Sequence, residues 1–205
     1  MVPPPKPAPK KVDITKITIP VWAKVGKLIW VEILDELGLV PVNYLSATID
    51  KVIEDQKKVE VTYSGEAAEK EIYADRILER ADQPQILEDL VDIDPLNDAE
   101  LLRCLEMRYR RDMLYCFCGP TLLATNPYKK VTAMTLPEDR LLFKQYALKG
   151  GKRITLPHIW NISSRAFYQL FDNNKKQAMC ISGESGAGKT FGTKLCMGFI
   201  TALFE

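Results

Sequence analysis

The densest chemistry in the chain lies near its C-terminal end, in Ile181-Ser-Gly-Glu-Ser-Gly-Ala-Gly-Lys-Thr190. From Gly183 to Thr190 the residues read G-x-x-x-x-G-K-T, the pattern of a loop that cradles phosphates. Gly183, Gly186 and Gly188 allow positive φ and carry no Cβ, so successive backbone N–H groups can turn inward toward phosphate oxygens. Glu184, Ser185 and Ala187 complete the loop. Lys189 would neutralise β- and γ-phosphates, and the Thr190 hydroxyl would be a ligand for Mg²⁺. The competing reading is a glycine-rich turn with an incidental lysine.

What decides between the two is the company the loop keeps. Such a loop must follow a strand and open a helix. Upstream, Gln177-Ala-Met-Cys-Ile-Ser182 is a short, mostly apolar run that predicts a buried parallel strand. Downstream, Phe191, Leu195, Phe199, Ala202 and Leu203 recur at helical spacing. The first turn of that helix would add its dipole and unpaired N–H groups to the phosphate site. Nucleoside-triphosphate binding is therefore the basal inference.

Composition sets the frame. The chain has 205 residues, 46% hydrophobic and 27% charged, as in an ordinary globular protein of one large or two small domains. Its net charge of +1 offers no argument for general nucleic-acid binding through a basic surface. No apolar run approaches a membrane span and no signal-peptide core opens the chain, which leaves the cytosol or nucleus. Of the cysteines (Cys104, Cys116, Cys118, Cys180, Cys196), Cys116 and Cys118 share one face of a predicted strand. Their spacing is not that of a zinc site and His158 is the sole histidine, so reduced, buried thiols are the favoured reading.

Taken in order, the chain opens with a proline- and lysine-rich arm, assigned to residues 1–19, that cannot bury a core. β signals follow over 20–80, with runs at 28–33, 45–53, 58–63 and 70–73 that predict a small barrel of four or five strands. Val59, Val61 and Tyr63 alternate with Glu60 and Thr62, the pattern of a half-solvated strand. Trp22 and Trp30 are read as core or domain-contact residues rather than a ligand surface. Residues 84–94 read as an acidic linker. Asn97 with Glu100 forms a capping-box start for a helix ending in Arg108, Arg110 and Arg111, a charged end expected to be solvated. Residues 113–118 and 121–125 flank Gly119-Pro120 as a hairpin. Thr135 with Glu138 predicts a helix that Gly150-Gly151 ends. A third helix starts at His158, a structural hydrogen-bonding residue rather than a base. Asn126, Pro127, Tyr128 and Lys129 form a turn.

These residues together resemble the myosin motor head. The phosphate loop has the form characteristic of that family. Asp89-Leu-Val-Asp92 before Leu96-Asn97, Met107-Arg-Tyr109, the hairpin from Tyr115 to Gly119, Asn126-Pro-Tyr-Lys129 and Pro157-His-Ile-Trp160 are similar to its landmarks, in order. The segment from Trp22 to Arg80 is similar to the Src-homology-3-like subdomain that precedes many such heads. The resemblance implies an α/β P-loop NTPase fragment over 81–205, behind a small all-β barrel over 20–80. It implies ATP and Mg²⁺ as ligands, with Asn126, Pro127, Tyr128 and Lys129 as the purine-binding loop and Gly183 to Thr190 as the phosphate loop. It implies actin filaments as the partner of the whole motor and a cytoplasmic, cytoskeletal location.

The sequence also departs from the family. Phe191-Gly192-Thr193-Lys194 stands where Glu-Asn-Thr-Lys is usual, and Met134 stands where an aromatic closes the purine loop. Asn161-Ile-Ser-Ser-Arg165 resembles the first switch but precedes the phosphate loop, and is read as coincidence. Neither switch, nor an actin-binding surface, nor a lever occurs in these residues. The expectation is the front part of a larger motor, unable alone to hydrolyse ATP or move actin. The alternative is a non-motor interaction module with a vestigial nucleotide site; a small P-loop kinase is a third reading.

Overall fold

The computed structural model describes residues 12–35, 41–65, 69–131, 137–150 and 154–204. The chain divides into two compact units, Met1–Gln85 with Asp94–Leu102 and Ile86–Ile93 with Arg103–Glu205.

The first unit is built on β1 (Leu28–Leu34), β2 (Pro41–Ile53), β3 (Lys58–Tyr63), β4 (Glu71–Tyr73) and β5 (Ile77–Glu79). All ladders are antiparallel and the order is β4-β3-β2-β1-β5. The two edge strands are joined only by a 3₁₀ turn, Ala74–Arg76. Three 3₁₀ residues advance about 6 Å, whereas the edges of a flat five-stranded sheet lie about 19 Å apart. The sheet must therefore curl to bring its edges together. Register shifts in β1 and β2 mark the irregular points, where bulges increase twist. The concave face holds the alternating residues: Ile29, Val31, Ala47, Ile49, Val59 and Ile72 are fully buried. Residues 70–73 pair as expected, while β5 escaped notice because three residues are too few to display a period. The predicted arm also requires correction. Residues 1–11 lie outside the described residues, but 12–19 include a 3₁₀ turn, Ile14–Lys16, and Ile17 is buried.

Helix α1 (Asp98–Tyr109) starts as Asn97 predicts, with its Oδ1 accepting from the Glu100 amide at 3.0 Å. The reciprocal half of the capping box is not made. Glu100 is buried, and its Oε1 accepts from Trp30 Nε1 at 2.7 Å and from the Ala81 amide at 3.1 Å. A buried carboxylate needs strong donors, and those of the sheet displace the helix's own. Trp30 is thereby a structural residue, its ring also covered by the Arg80 guanidinium at 4.8 Å.

In the second unit, β6 (Tyr115–Cys118) and β7 (Thr121–Ala124) form the expected hairpin, with Gly119 at φ +57° in its turn. The presumed acidic linker is bound to this hairpin. The Phe117 amide donates to Glu88 O at 2.7 Å, Asp89 Oδ1 accepts from the Gly119 amide at 2.9 Å, and Leu90 and Ile93 are buried. Nor is the helix end a solvated cluster throughout: Arg108 is buried and its guanidinium donates to Leu87 O and Tyr115 O. Arg110 pairs with Glu106 on the surface.

Helices α2 (Pro137–Lys149), α3 (Ile159–Asp172) and α4 (Lys189–Thr201) complete this unit. Thr135 and Gly151 lie outside the described residues; Gly150, at φ +66°, ends α2 with its amide on Tyr146 O. His158 caps α3, its Nδ1 accepting from the Trp160 amide at 3.0 Å, and stacks on Phe143. Asn161, Ser163 and Ser164 are buried and hydrogen-bonded to local carbonyls. Cys104, Cys116 and Cys196 are buried free thiols, but Cys118 and Cys180 are exposed, which corrects the expectation for those two.

Candidate nucleotide site

The phosphate loop departs from expectation on one side. Residues 177–182 form no strand; they run as exposed, irregular chain into Gly183. A parallel strand gains its stability from neighbours on both edges. Among the described residues of this unit, β6 pairs with β7 and bridges to Asp89, and neither strand forms a ladder with this run.

The loop itself is shaped as its residue types dictate. Gly183, Gly186 and Gly188 have φ of +152°, +81° and +95°, conformations that a Cβ would strain. A Cβ on Gly183 would also come within 3.1 Å of the Ala187 Cβ. Gly188 is the N-cap of α4 and offers its first amides no side-chain acceptor, so those donors remain available to an anion. The Lys189 ammonium reaches across the loop, donating to Gly183 O at 2.8 Å and Glu184 O at 2.7 Å. Thr190 is exposed on the first turn of α4.

These features are compatible with a phosphate group: three glycines at positive φ, a lysine bonded across the loop, and a helix start without a side-chain cap. Among the described residues no group of three or more His, Cys, Asp or Glu could hold a metal.

Helix α4 carries the predicted period only in part. Phe199 is buried, but Phe191 is 64% exposed in its first turn. Gly192, the neighbouring departure, lies against α3: a Cβ there would approach Ile159 Cδ1 to 3.2 Å.

The second motif is brought to the first. Asn126 Nδ2 donates to Gly186 O at 2.7 Å, joining residues 60 apart in sequence, while its Oδ1 accepts from the Tyr128 amide at 3.0 Å. Tyr128 is at φ +50°, and its hydroxyl would lie 3.7 Å from a Cβ on Gly186. Pro127 O accepts from the Tyr109 hydroxyl at 3.2 Å, and the Lys129 ammonium lies 2.7 Å from Asp112 Oδ1. The hydrogen bond to this carboxylate raises the pKa of Lys129. Met134 lies outside the described residues. Sequence reasoning missed Asp112, because nothing marks an aspartate after two arginines as the partner of a lysine in a distant loop.

Residues 87–205 match the family model described as myosin head (motor domain). The chain is 37% identical over 118 residues to a myosin-I heavy chain of Dictyostelium discoideum, covering 58% of this chain and 5% of that protein. It is 36% identical over 117 residues to the high molecular weight form of myosin-1 of Acanthamoeba castellanii, covering 57% and 7%. It is 35% identical over 117 residues to unconventional myosin-Ia of Bos taurus, covering 57% and 11%. The chain thus spans roughly a tenth or less of the length of these relatives.

Proposed function

The chain belongs to the myosin head (motor domain) family, and from that membership we propose that it supplies the ATP-binding part of an actin-based motor. The observation that carries this reading is the Asn126–Gly186 hydrogen bond, which sets the purine-side loop beside the phosphate loop. In the proposed site Asn126, Pro127, Tyr128 and Lys129 shape the purine end. The backbone of Gly183, Glu184, Ser185, Gly186, Ala187 and Gly188 receives the phosphates, and Lys189 exchanges its two carbonyl partners for phosphate oxygens. The Thr190 hydroxyl is the protein ligand for Mg²⁺. Bound Mg-ATP supplies the phosphoanhydride whose cleavage drives the motor; residues 1–205 bind and orient it. In the whole protein this binding is coupled to hydrolysis and movement on actin in the cytoplasm. There residues 81–205 belong to an α/β P-loop NTPase fold.

Titration of the 205-residue chain with Mg-ATP, with and without Lys189→Ala, tests the reading. Removing a charge-assisted phosphate contact is expected to weaken binding by about 100-fold. Equal affinity in the two chains, or no binding at micromolar protein, overturns it in favour of a non-motor interaction module. The 205-residue chain is expected to release no phosphate above background, and Mg²⁺-dependent ATPase that Lys189→Ala abolishes would refute that.

A further inference from the structure

Helix α1 ends in a tight hydrogen-bonded turn: the Met113 amide donates to Arg108 O at 2.9 Å and the Asp112 amide to Tyr109 O at 3.0 Å. This is the Schellman arrangement, in which the residue at Asp112's position adopts the left-handed conformation and is usually glycine. Asp112 adopts it, at φ +57°, where a Cβ crowds the following carbonyl oxygen. A strained non-glycine residue points to a compensating role for its side chain. Here the side chain meets Lys129 at 2.7 Å. One turn back, Tyr109 holds Pro127 O. The end of α1 therefore grips the loop of residues 126–129 at two points, and that loop grips the phosphate loop through Asn126.

The geometry points to Asp112 as a positioning residue of the nucleotide site. It holds Lys129 as an anchor of the purine-side loop, so that the loop is set before the base arrives. This rests on the nucleotide-binding reading above, and it assigns Lys129 a hold on Asp112 in place of a contact with nucleotide. The consequence is selective. Loosening the loop acts first on recognition of the nucleoside; the phosphate cradle loses only the support of Asn126 on Gly186 and keeps its own glycines and Lys189.

Asp112→Gly separates this role from a structural one, because glycine relieves the backbone strain while deleting the carboxylate. The expected result on the full chain is an unchanged or higher melting temperature. Affinity for Mg-ATP should fall about threefold, the range of a partly exposed ion pair, with a smaller fall for Mg-tripolyphosphate. Lys129→Met should lose the same factor, and the double variant no more than either single one. Unchanged ATP affinity in Asp112→Gly, an equal fall for tripolyphosphate, or additive losses overturns the proposal. Hydrogen exchange of the Tyr128 amide, measured without ligand, keeps the test independent of nucleotide binding. If the parent chain binds neither ligand, the nucleotide reading fails. Faster Tyr128 exchange in Asp112→Gly still upholds the anchoring of the loop, and unchanged exchange overturns that as well.

Discussion

The curled sheet of the first unit and the phosphate loop of the second solve opposite problems. In the sheet, strands pair edge to edge around β1, β2 and β3, and the inward residues Ile29, Ile49, Val59 and Ile72 have no accessible surface. The loop has exposed backbone on its approach, glycines at positive φ, and a lysine bonded to the loop's own carbonyls. Burial of apolar side chains stabilises the sheet, each worth about 1.5–3 kcal/mol. The loop gains little from burial; the first amides of α4 have no side-chain acceptor and its lysine bonds only backbone carbonyls. The difference teaches that stability and ligand chemistry occupy different stretches of this chain and respond to different substitutions.

The strongest test of that separation is Ile49→Ala. Truncating a fully buried isoleucine is expected to destabilise the first unit by about 3 kcal/mol, seen in denaturant unfolding, with Mg-ATP affinity unchanged under native conditions. A parallel loss of nucleotide affinity would break the comparison.

An intermediate effect is expected at alkaline pH, where burial is concentrated in the hairpin. Burial pushes the Cys116 thiol up to about 11 and the Tyr115 hydroxyl up to about 12. Both folded-state values lie above the ordinary ones, so the neutral forms are favoured by folding. The stability they contribute is fully present below about pH 9 and is lost as pH rises through 9 to 11 for Cys116 and 10 to 12 for Tyr115. Unfolding by urea at pH 7 and at pH 10.5 should show the lower midpoint at the higher pH. An unchanged midpoint would show that the hairpin thiol and phenol are solvated.

The smallest effect is expected at Phe191, 64% exposed beside the loop. Phe191→Glu replaces an exposed aromatic with a carboxylate in the first turn of α4. It should change stability by less than about 0.5 kcal/mol, read as melting temperature. A larger loss would mean that Phe191 packs in solution.

Much of the first unit was legible because an antiparallel strand exposed on one face writes its burial as alternation. Val59 and Val61 are buried between the less buried Glu60 and Thr62. Local signals also succeeded where a side chain acts on its own neighbours, as with the Asn97 cap and the His158 hydrogen bond. Errors arose where a local signal met a stronger distant partner. Glu100 left its capping box for Trp30, and Arg108 turned from solvent to carbonyls of the hairpin and the preceding segment. The apolar run 177–182 failed for the converse reason: strand propensity without an adjacent ladder produces no strand.

By itself the sequence determined the chemistry of the phosphate loop, because glycine freedom, a lysine charge and a threonine hydroxyl are properties of residues at fixed short spacing. It also carried the ordered landmarks of the myosin head family. Tertiary structure alone decided that Asn126 meets Gly186, that Asp112 holds Lys129, and that residues 86–93 bind the hairpin. Those contacts join residues far apart in the chain, and their partners are selected by how helices and loops pack, a choice that no local pattern of residue types records.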